Sequence, residues 1–145
     1  MNRRILVTGS SRGIGKAIAL ELAKSGFDVT VHARSRQSEA EAVAQEIQAL
    51  GQDSHVLMFD VNDRENITAI LEQDIAQHGA FYGVVLNAGL TRDGAFPALT
   101  DEDWDDVVST SLNGFYNVLK PLMMPMIRLK KGGRIVTLSS VSGIM

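Results

Sequence analysis

Short apolar runs alternate with longer amphipathic stretches along the whole chain. The apolar runs are rich in Val, Ile and Leu, which buried strands favour, and the longer stretches have the length and spacing of helices. Because this alternation is typical of strands joined by crossover helices, it predicts an α/β fold with a doubly wound parallel sheet covered on both faces. Five strands are predicted, at residues 3–8, 28–32, 54–59, 83–86 and 133–138.

Four helices are predicted between these strands, at residues 13–25, 38–50, about 63–79 and 100–130. Gly26 and Gly51 can take the left-handed conformation that ends a helix, and Ser38 is the predicted N-cap of the second helix. Thr100, followed by three acidic residues, suits the positive amino end of the fourth helix. Pro125 removes one backbone donor inside that helix, so we expect a kink or a break in the turn before it.

Composition narrows the possible classes of protein. The chain has 145 residues, of which 45% are hydrophobic, and we predict a single domain over residues 1–145. The lack of cysteine excludes disulfides and thiolate metal sites, and it favours a reducing, cytoplasmic setting. The net charge of -3 argues against nucleic acid as the main partner. No run approaches the roughly 20 apolar residues of a membrane-spanning helix, so no membrane partner is expected.

The turn after the first strand is the strongest candidate for a binding site. Thr8 to Gly15 reads TGSSRGIG and leads into a helix. Gly9 permits a sharp turn, Gly13 lets the backbone approach a diphosphate, and Gly15 allows the helix to pack closely on the strand. The N–H groups at the helix start then face the anion. The loop predicts a dinucleotide-phosphate site, with a purely structural turn as the alternative.

The spacing Thr-Gly-x-x-x-Gly-x-Gly resembles that of the short-chain dehydrogenase/reductase family. Four further segments match that family in the same order, namely Asp60-Val61, Asn87-Ala88-Gly89, Asp103-Trp104 and Ser139-Ser140. Residues 8–15 and 87–93 are most similar to bacterial 3-oxoacyl-[acyl-carrier-protein] reductases. The resemblance implies a Rossmann fold and an oxidoreductase that reduces a 3-oxoacyl thioester, carrier-bound or small, or a similar ketone.

The same resemblance implies a set of cofactor contacts. The cofactor phosphates would be held by Ser10, Ser11, Arg12, Gly13 and Ile14, the adenine flanked by Asp60 and Val61, and the nicotinamide ribose contacted by Asn87, Ala88 and Gly89. Two of these residues have structural alternatives. Asp60 could cap the third helix, and Asn87 could satisfy backbone groups between strands.

The end of the second strand indicates which cofactor is bound. NAD enzymes of this fold place an acid there for the ribose 2'-hydroxyl. Here the sequence reads His32-Ala33-Arg34-Ser35-Arg36, without a carboxylate. Because a guanidinium matches a 2'-phosphate, we predict NADP(H), with Arg34 and Ser35 at that phosphate and Arg12 nearby. The alternative is that the arginines are solvated loop cations, and His32 is expected to pack at the strand end.

In the resembled family, a Tyr gives a proton to the substrate carbonyl, a Lys lowers the pKa of that Tyr, a Ser holds the oxygen and an Asn supports a proton relay. Ser140 stands at the serine position, with a polar strand end lacking chemistry as the alternative. Ser111 stands where the family has its Asn, which puts the usual relay in doubt.

The family's Tyr-x-x-x-Lys lies in a helix after this serine, and the 145 residues end first. The sheet is therefore expected to be truncated after the fifth strand, and the chain as given is expected to be inactive by the family mechanism. Tyr116 and Lys120 fit the spacing but precede Ser140, so we exclude them. A catalytically inactive dinucleotide-binding module is the alternative to an enzyme.

The fourth helix carries more apolar residues than one core-facing stripe needs. In the resembled family this helix pairs with its copy in another subunit, so a homodimer or homotetramer is expected, and complete packing into the core is the alternative. Lys130 and Lys131 follow this helix. They either dock an acidic acyl carrier protein or simply complement the helix dipole.

Overall fold

The computed structural model describes residues 3–87 and 100–138, except for the side chains of Val107, Thr110 and Ser111. Within these ranges the strands are β1 (Arg4–Val7), β2 (Asp28–Ala33), β3 (Ser54–Met58), β4 (Gly83–Asn87) and β5 (Arg134–Leu138). The helices are α1 (Gly13–Lys24), α2 (Gln37–Ala49), α3 (Arg64–His78) and α4 (Asp101–Arg128). Each predicted strand is confirmed, with its ends within one residue of the expected positions.

All strand pairs are parallel, and the sheet order is β3-β2-β1-β4-β5. Strands β2 and β3 lie successively on one side of β1, and β4 lies on the other side of β1. This reversal creates a crevice between the carboxyl ends of β1 and β4, where open α/β sheets bind their ligands. The predicted doubly wound sheet is confirmed.

Alternation along the strands divides the core between the two faces of the sheet. Ile5 and Val7 of β1 pack in a cluster with α1 and α2, whereas Leu6 packs in a second cluster with α3 and α4. Neighbouring strand residues point to opposite faces, so a strand that is apolar at every position feeds both cores. Each fully buried Val or Leu stabilises the fold by about 1.5–3 kcal/mol.

The helix ends follow local chemistry in most places. Gly26 and Gly51 have φ angles of 100° and 92°, which confirms their predicted left-handed conformation. The prediction of Ser38 as N-cap of α2 is wrong, because the cap is Arg36, at φ 61°. Starting the helix at residue 37 lets the Gln37 side chain bond to Glu41 at 3.2 Å.

The fourth helix begins as predicted, with a reciprocal capping box. The Asp103 amide donates to Thr100 Oγ1 at 3.0 Å, and the Thr100 amide donates to Asp103 Oδ2 at 3.4 Å. The helix continues unbroken through Pro121 and Pro125, so the predicted break does not occur. Val118, Leu122 and Met126, spaced four residues apart, are all buried against the sheet. This packing outweighs the backbone hydrogen bonds that the prolines remove.

The opposite side of α4 is apolar as well. Leu112 is 62% exposed and Ile127 is 59% exposed. The alternative in which all apolar residues of the fourth helix pack into the core is therefore wrong. Ile135 and Val136 of the edge strand β5 are also exposed. No helix in the described ranges is both long and apolar enough to cross a membrane.

Candidate dinucleotide-binding site

The glycine-rich loop lies at the crevice between β1 and β4. The Asn87 amide group, at the end of β4, donates through Nδ2 to the Gly9 carbonyl at 3.3 Å. The Asn87 backbone N–H donates to Thr8 Oγ1 at 2.9 Å. The two strand ends are thereby tied together, and the proposed backbone role of the Asn87 side chain is confirmed.

Three glycines give the loop its shape. Gly9 and Gly13 have φ angles of 62° and 63°, in the left-handed region that other residues rarely adopt. A Cβ atom on Gly15 would lie 2.1 Å from the Gly9 carbonyl oxygen and 2.9 Å from Asn87 Nδ2. The loop therefore folds back onto the first turn of α1 so closely that only glycine fits at position 15.

Ser10 stabilises this loop from inside. Its N–H donates to the His32 carbonyl at 2.9 Å, and its hydroxyl donates to the Val7 carbonyl at 2.8 Å. The same hydroxyl accepts from the His32 N–H at 3.0 Å, and the residue is fully buried. The expectation that Ser10 holds phosphate needs correction, since both of its donors are already used within the protein.

The His32 imidazole joins the ends of three strands. Its Nδ1 accepts from the Gly9 N–H at 2.9 Å, and its Nε2 lies 2.8 Å from the Phe59 carbonyl. Burial lowers the pKa of His32 to about 4. The ring is therefore neutral at pH 7, with the proton on Nε2. The prediction that His32 packs at the strand end is confirmed.

The amino end of α1 is open to an anion. Its N-cap, Arg12, makes no capping hydrogen bond through its side chain, and the first turn contains no acidic residue. By contrast, Asp63 caps α3 and Thr100 caps α4. The uncapped amides and the helix dipole at Gly13 and Ile14 are suited to a negatively charged group, and both residues are exposed.

Positive charge lies beside this end of the helix. Arg34 follows β2 and is 74% exposed, with its Nε 3.5 Å from Asp60 Oδ2. Arg36 pairs within its own helix, with Nη1 3.6 Å from Glu39. Ser35, between the two arginines, is exposed. No carboxylate occupies the end of β2 itself.

Asp60 does not cap α3, so that alternative is wrong. Its Oδ1 accepts from the Asn62 N–H at 2.9 Å and shapes the turn after β3, while Asp63 accepts from the Asn66 N–H at 3.3 Å as the true cap. The Asp60 carboxylate thus remains at the carboxyl edge of the sheet, near Arg34.

A buried amide, missed by the sequence analysis, fixes Val61. Asn117 on α4 is buried, and its Nδ2 donates to the Val61 carbonyl at 2.8 Å. Its Oδ1 accepts from Arg64 Nε at 2.7 Å. Gly114, one turn earlier, brings α4 so close that an added Cβ would lie 3.2 Å from Val61 Cγ2. In the sequence, only the one-turn spacing of Gly114 and Asn117 on a predicted helix indicated that both face the same neighbour.

The structure describes some of the remaining predicted residues, and others lie outside the described ranges. Tyr116 is 47% exposed, with its ring flanked by Arg64 and Lys120 at 5.1 and 5.6 Å, on the surface of α4. Ser111 lies in α4, but its side chain is outside the described part, and so are the residues Ala88, Gly89 and Ser140.

Lys130 and Lys131 lie away from this site. They precede β5, and the residues before a parallel strand lie at the amino edge of the sheet, whereas the glycine loop lies at the carboxyl edge. Lys131 lines a cavity at that amino edge together with Arg3 and Arg4.

Comparison with known proteins agrees with this geometry. The short chain dehydrogenase family matches residues 3–145. The chain is 66% identical, over 145 residues, to the 3-oxoacyl-[acyl-carrier-protein] reductase FabG of Aggregatibacter actinomycetemcomitans, and covers 100% of itself and 60% of that protein. It is 43% identical over 141 residues to the reductase of the same name from Pseudomonas aeruginosa, and this match covers 97% of this chain and 56% of that protein.

Solved structures give the same result. Acetoin dehydrogenase from Enterobacter cloacae superposes with a TM-score of 0.83 at 30% identity, over 97% of this chain and 58% of that one. An alcohol dehydrogenase from the archaeon Thermococcus sibiricus, complexed with 5-hydroxy-NADP, superposes with a TM-score of 0.80 at 29% identity. This match covers 94% of this chain and 57% of that one. The chain thus spans about three-fifths of the length of these proteins. It belongs to the short-chain dehydrogenase family.

Proposed function

We propose that the protein binds NADP(H) at the glycine loop and, in its full-length form, reduces a 3-oxoacyl thioester. The observation that carries this proposal is the uncapped amino end of α1 beside an arginine, at the crevice between β1 and β4. An uncapped helix start and an exposed guanidinium, with no acid in the strand-end segment that follows β2, suit a dinucleotide that carries an additional phosphate.

The glycine loop and the neighbouring strand ends would hold such a cofactor. The amides at Ser11, Arg12, Gly13 and Ile14 would bind the diphosphate, and Gly9 and Gly15 allow the tight loop that presents these amides. Arg34 and Ser35 would contact the 2'-phosphate, Asp60 and Val61 would border the adenine, and Asn87, with Ala88 and Gly89, would contact the ribose. When bound, the reduced nicotinamide supplies a hydride.

The thioester substrate is inferred from the relatives. Two reductases named for 3-oxoacyl-[acyl-carrier-protein] are 66% and 43% identical to this chain. In this proposal Ser140 holds the substrate carbonyl oxygen as a hydrogen-bond donor. Lys130 and Lys131 lie at the amino edge of the sheet, and either docking of an acidic acyl carrier protein or interaction with the dipole of α4 accounts for their charge.

A second candidate function, dinucleotide binding without catalysis, is favoured by Ser111 at the position where the family has Asn. Measuring NADPH oxidation by the intact gene product with a 3-oxoacyl thioester distinguishes the two. Turnover supports the reductase. NADPH binding without any turnover would leave only the binding module.

The cofactor assignment is tested by an arginine pair. Arg34→Ala should weaken NADPH binding and leave NADH binding unchanged, because only NADPH carries the 2'-phosphate. A charge-assisted contact is worth about 1.5–3 kcal/mol, and the 74% exposure of Arg34 argues for the low end. We expect about a tenfold rise in Kd for NADPH by titration calorimetry.

The matched control is Arg36→Ala, because Arg36 is the N-cap of α2 and pairs with Glu39 within that helix, whereas Arg34 lies beside Asp60 at the carboxyl edge of the sheet. It should leave both affinities unchanged. An equal loss of NADPH and NADH affinity in Arg34→Ala, or a larger loss of NADPH affinity in Arg36→Ala, would overturn the assignment of the 2'-phosphate site.

We also propose a homodimer or homotetramer that uses the outer face of α4. The exposed large hydrophobic side chains on this helix support it. In the described part of α4 they are Trp104, Val108, Leu112, Tyr116, Met123, Met124 and Ile127. Single exposed apolar residues are common, but a row along one helix favours a covered surface. A strictly monomeric mass in solution would contradict this.

A further inference from the structure

A second group of polar side chains lies at the amino edge of the sheet, away from the glycine loop. His55 is the second residue of β3, and Asp74 and His78 lie one turn apart near the end of α3. Because residues at positions i and i+4 share a helix face, both side chains of α3 point toward the strand. The dinucleotide site uses none of them.

The three side chains are already close together. His55 Nε2 lies 2.5 Å from Asp74 Oδ1, and the His55 and His78 rings stack with their centroids 4.3 Å apart. One potential ligand atom from each residue lies within 4.8 Å of the other two. Ligands in a tetrahedral zinc site, each about 2.0–2.2 Å from the metal, are separated by about 3.3 Å. Because the His55 side chain is 33% exposed, rotation of its ring can replace the hydrogen bond to Asp74 with a shared metal contact.

Asp74 supplies a negative charge at this position. Arg4 Nη1 contacts Asp74 Oδ2 at 2.7 Å. Since Asp74 is only 3% exposed, the carboxylate is a fixed anion, with Oδ1 directed at His55.

Arg4 is itself held in place, so it orients the carboxylate and does not need to move when a cation binds. Its Nε donates to the Gly79 carbonyl at 3.1 Å, and its guanidinium lies 3.6 Å from the centre of the Phe81 ring. An outer partner that fixes one oxygen of a carboxylate while the other oxygen binds metal is common around protein metal sites.

We propose that His55, Asp74 and His78 form a zinc-binding site. Two imidazole nitrogens and one carboxylate oxygen are donors that zinc accepts, whereas magnesium and calcium prefer oxygen ligands alone. Three protein ligands leave a fourth position open. Both histidines line a cavity of about 450 Å³ at the amino edge of the sheet, so water or a small anion can reach that position.

The test uses the intact protein without an affinity tag, after a chelator has removed any bound metal. This protein is titrated with zinc chloride alone. Calorimetry should give one site per chain. His78→Asn is the informative variant, because His78 is exposed and its replacement leaves the core intact. We expect its Kd for zinc to rise about tenfold or more, since even outer partners of a metal are worth 10–100-fold.

Gln77→Asn is the matched control, because Gln77 is the exposed neighbour of His78 on the same helix. It should bind zinc like the unmodified protein. Cobalt chloride provides a second readout, because its visible absorption should change in the protein and in Gln77→Asn but not in His78→Asn.

The proposal is overturned if no saturable zinc binding occurs, or if His78→Asn binds zinc as tightly as the unmodified protein. Equal weakening in Gln77→Asn and His78→Asn also overturns it. Unchanged circular dichroism of His78→Asn, together with weaker binding, shows that the lost affinity reflects a lost ligand and not unfolding.

Discussion

The stability of the protein should fall between pH 7.5 and pH 5.0 because of one buried side chain, His32. In the folded state its Nδ1 accepts the Gly9 N–H, and burial lowers its pKa from 6.5 to about 4. The unfolded chain therefore takes up a proton before the folded chain does. Stability from this group is fully present above about pH 6.5 and is lost as the pH falls toward 4.

The size of the effect follows from the shift. A difference of about 2.5 pH units corresponds to about 3.4 kcal/mol at the acid limit, at 1.36 kcal/mol per unit. At pH 5.0 the folded ring is still mostly neutral, whereas the unfolded ring is almost fully protonated. The loss at that pH is about 2 kcal/mol.

Urea denaturation at pH 7.5 and pH 5.0 measures this loss, and His32→Asn is the comparison. Asn has no titrating group, and its side-chain oxygen can still accept the Gly9 N–H. Between the two pH values the unmodified protein should lose about 2 kcal/mol more than His32→Asn. If the two proteins lose the same amount, His32 is not the group responsible, and the inferred burial of a neutral imidazole is wrong.

Two further substitutions test the framework of the site. Gly15→Ala should abolish NADPH binding in calorimetry, because its Cβ would lie 2.1 Å from a backbone oxygen, whereas Gly13→Ala meets no atom within 4 Å and should keep part of the affinity despite its strained φ of 63°. Equal affinities of the two variants would contradict this. Asn117→Leu should lower the free energy of unfolding in urea by about 1–3 kcal/mol, since it removes the two hydrogen bonds that the buried Asn117 side chain makes to Arg64 and to the half-buried Val61 carbonyl. A loss below about 0.5 kcal/mol, as at ordinary surface sites, would show that this network is not structural.

Local signals along the chain predicted most of the architecture. The strands were predictable because β1 and β4 are continuous apolar runs bounded by glycine or polar residues, and the parallel arrangement follows from the helices between them. The glycine loop was predictable because Gly9, Gly13 and Gly15 each meet a backbone requirement that depends on a few neighbouring residues.

Other features depend on residues distant in sequence. The role of Ser10 changed because its partner, His32, comes from the neighbouring strand β2. The continuity of α4 through Pro125 was not predictable from local propensity, since packing of one helix face on the sheet decides it.

The order of elements, the glycine loop and the lack of an acid after β2 could be read from residue types within short segments, because each depends on near neighbours. Which hydrogen-bond donors of the loop are used internally depended on the folded chain, because their partners lie on other strands. Folding also brought His55 of β3 beside Asp74 and His78 of α3, since only the folded sheet places a strand start against a helix end.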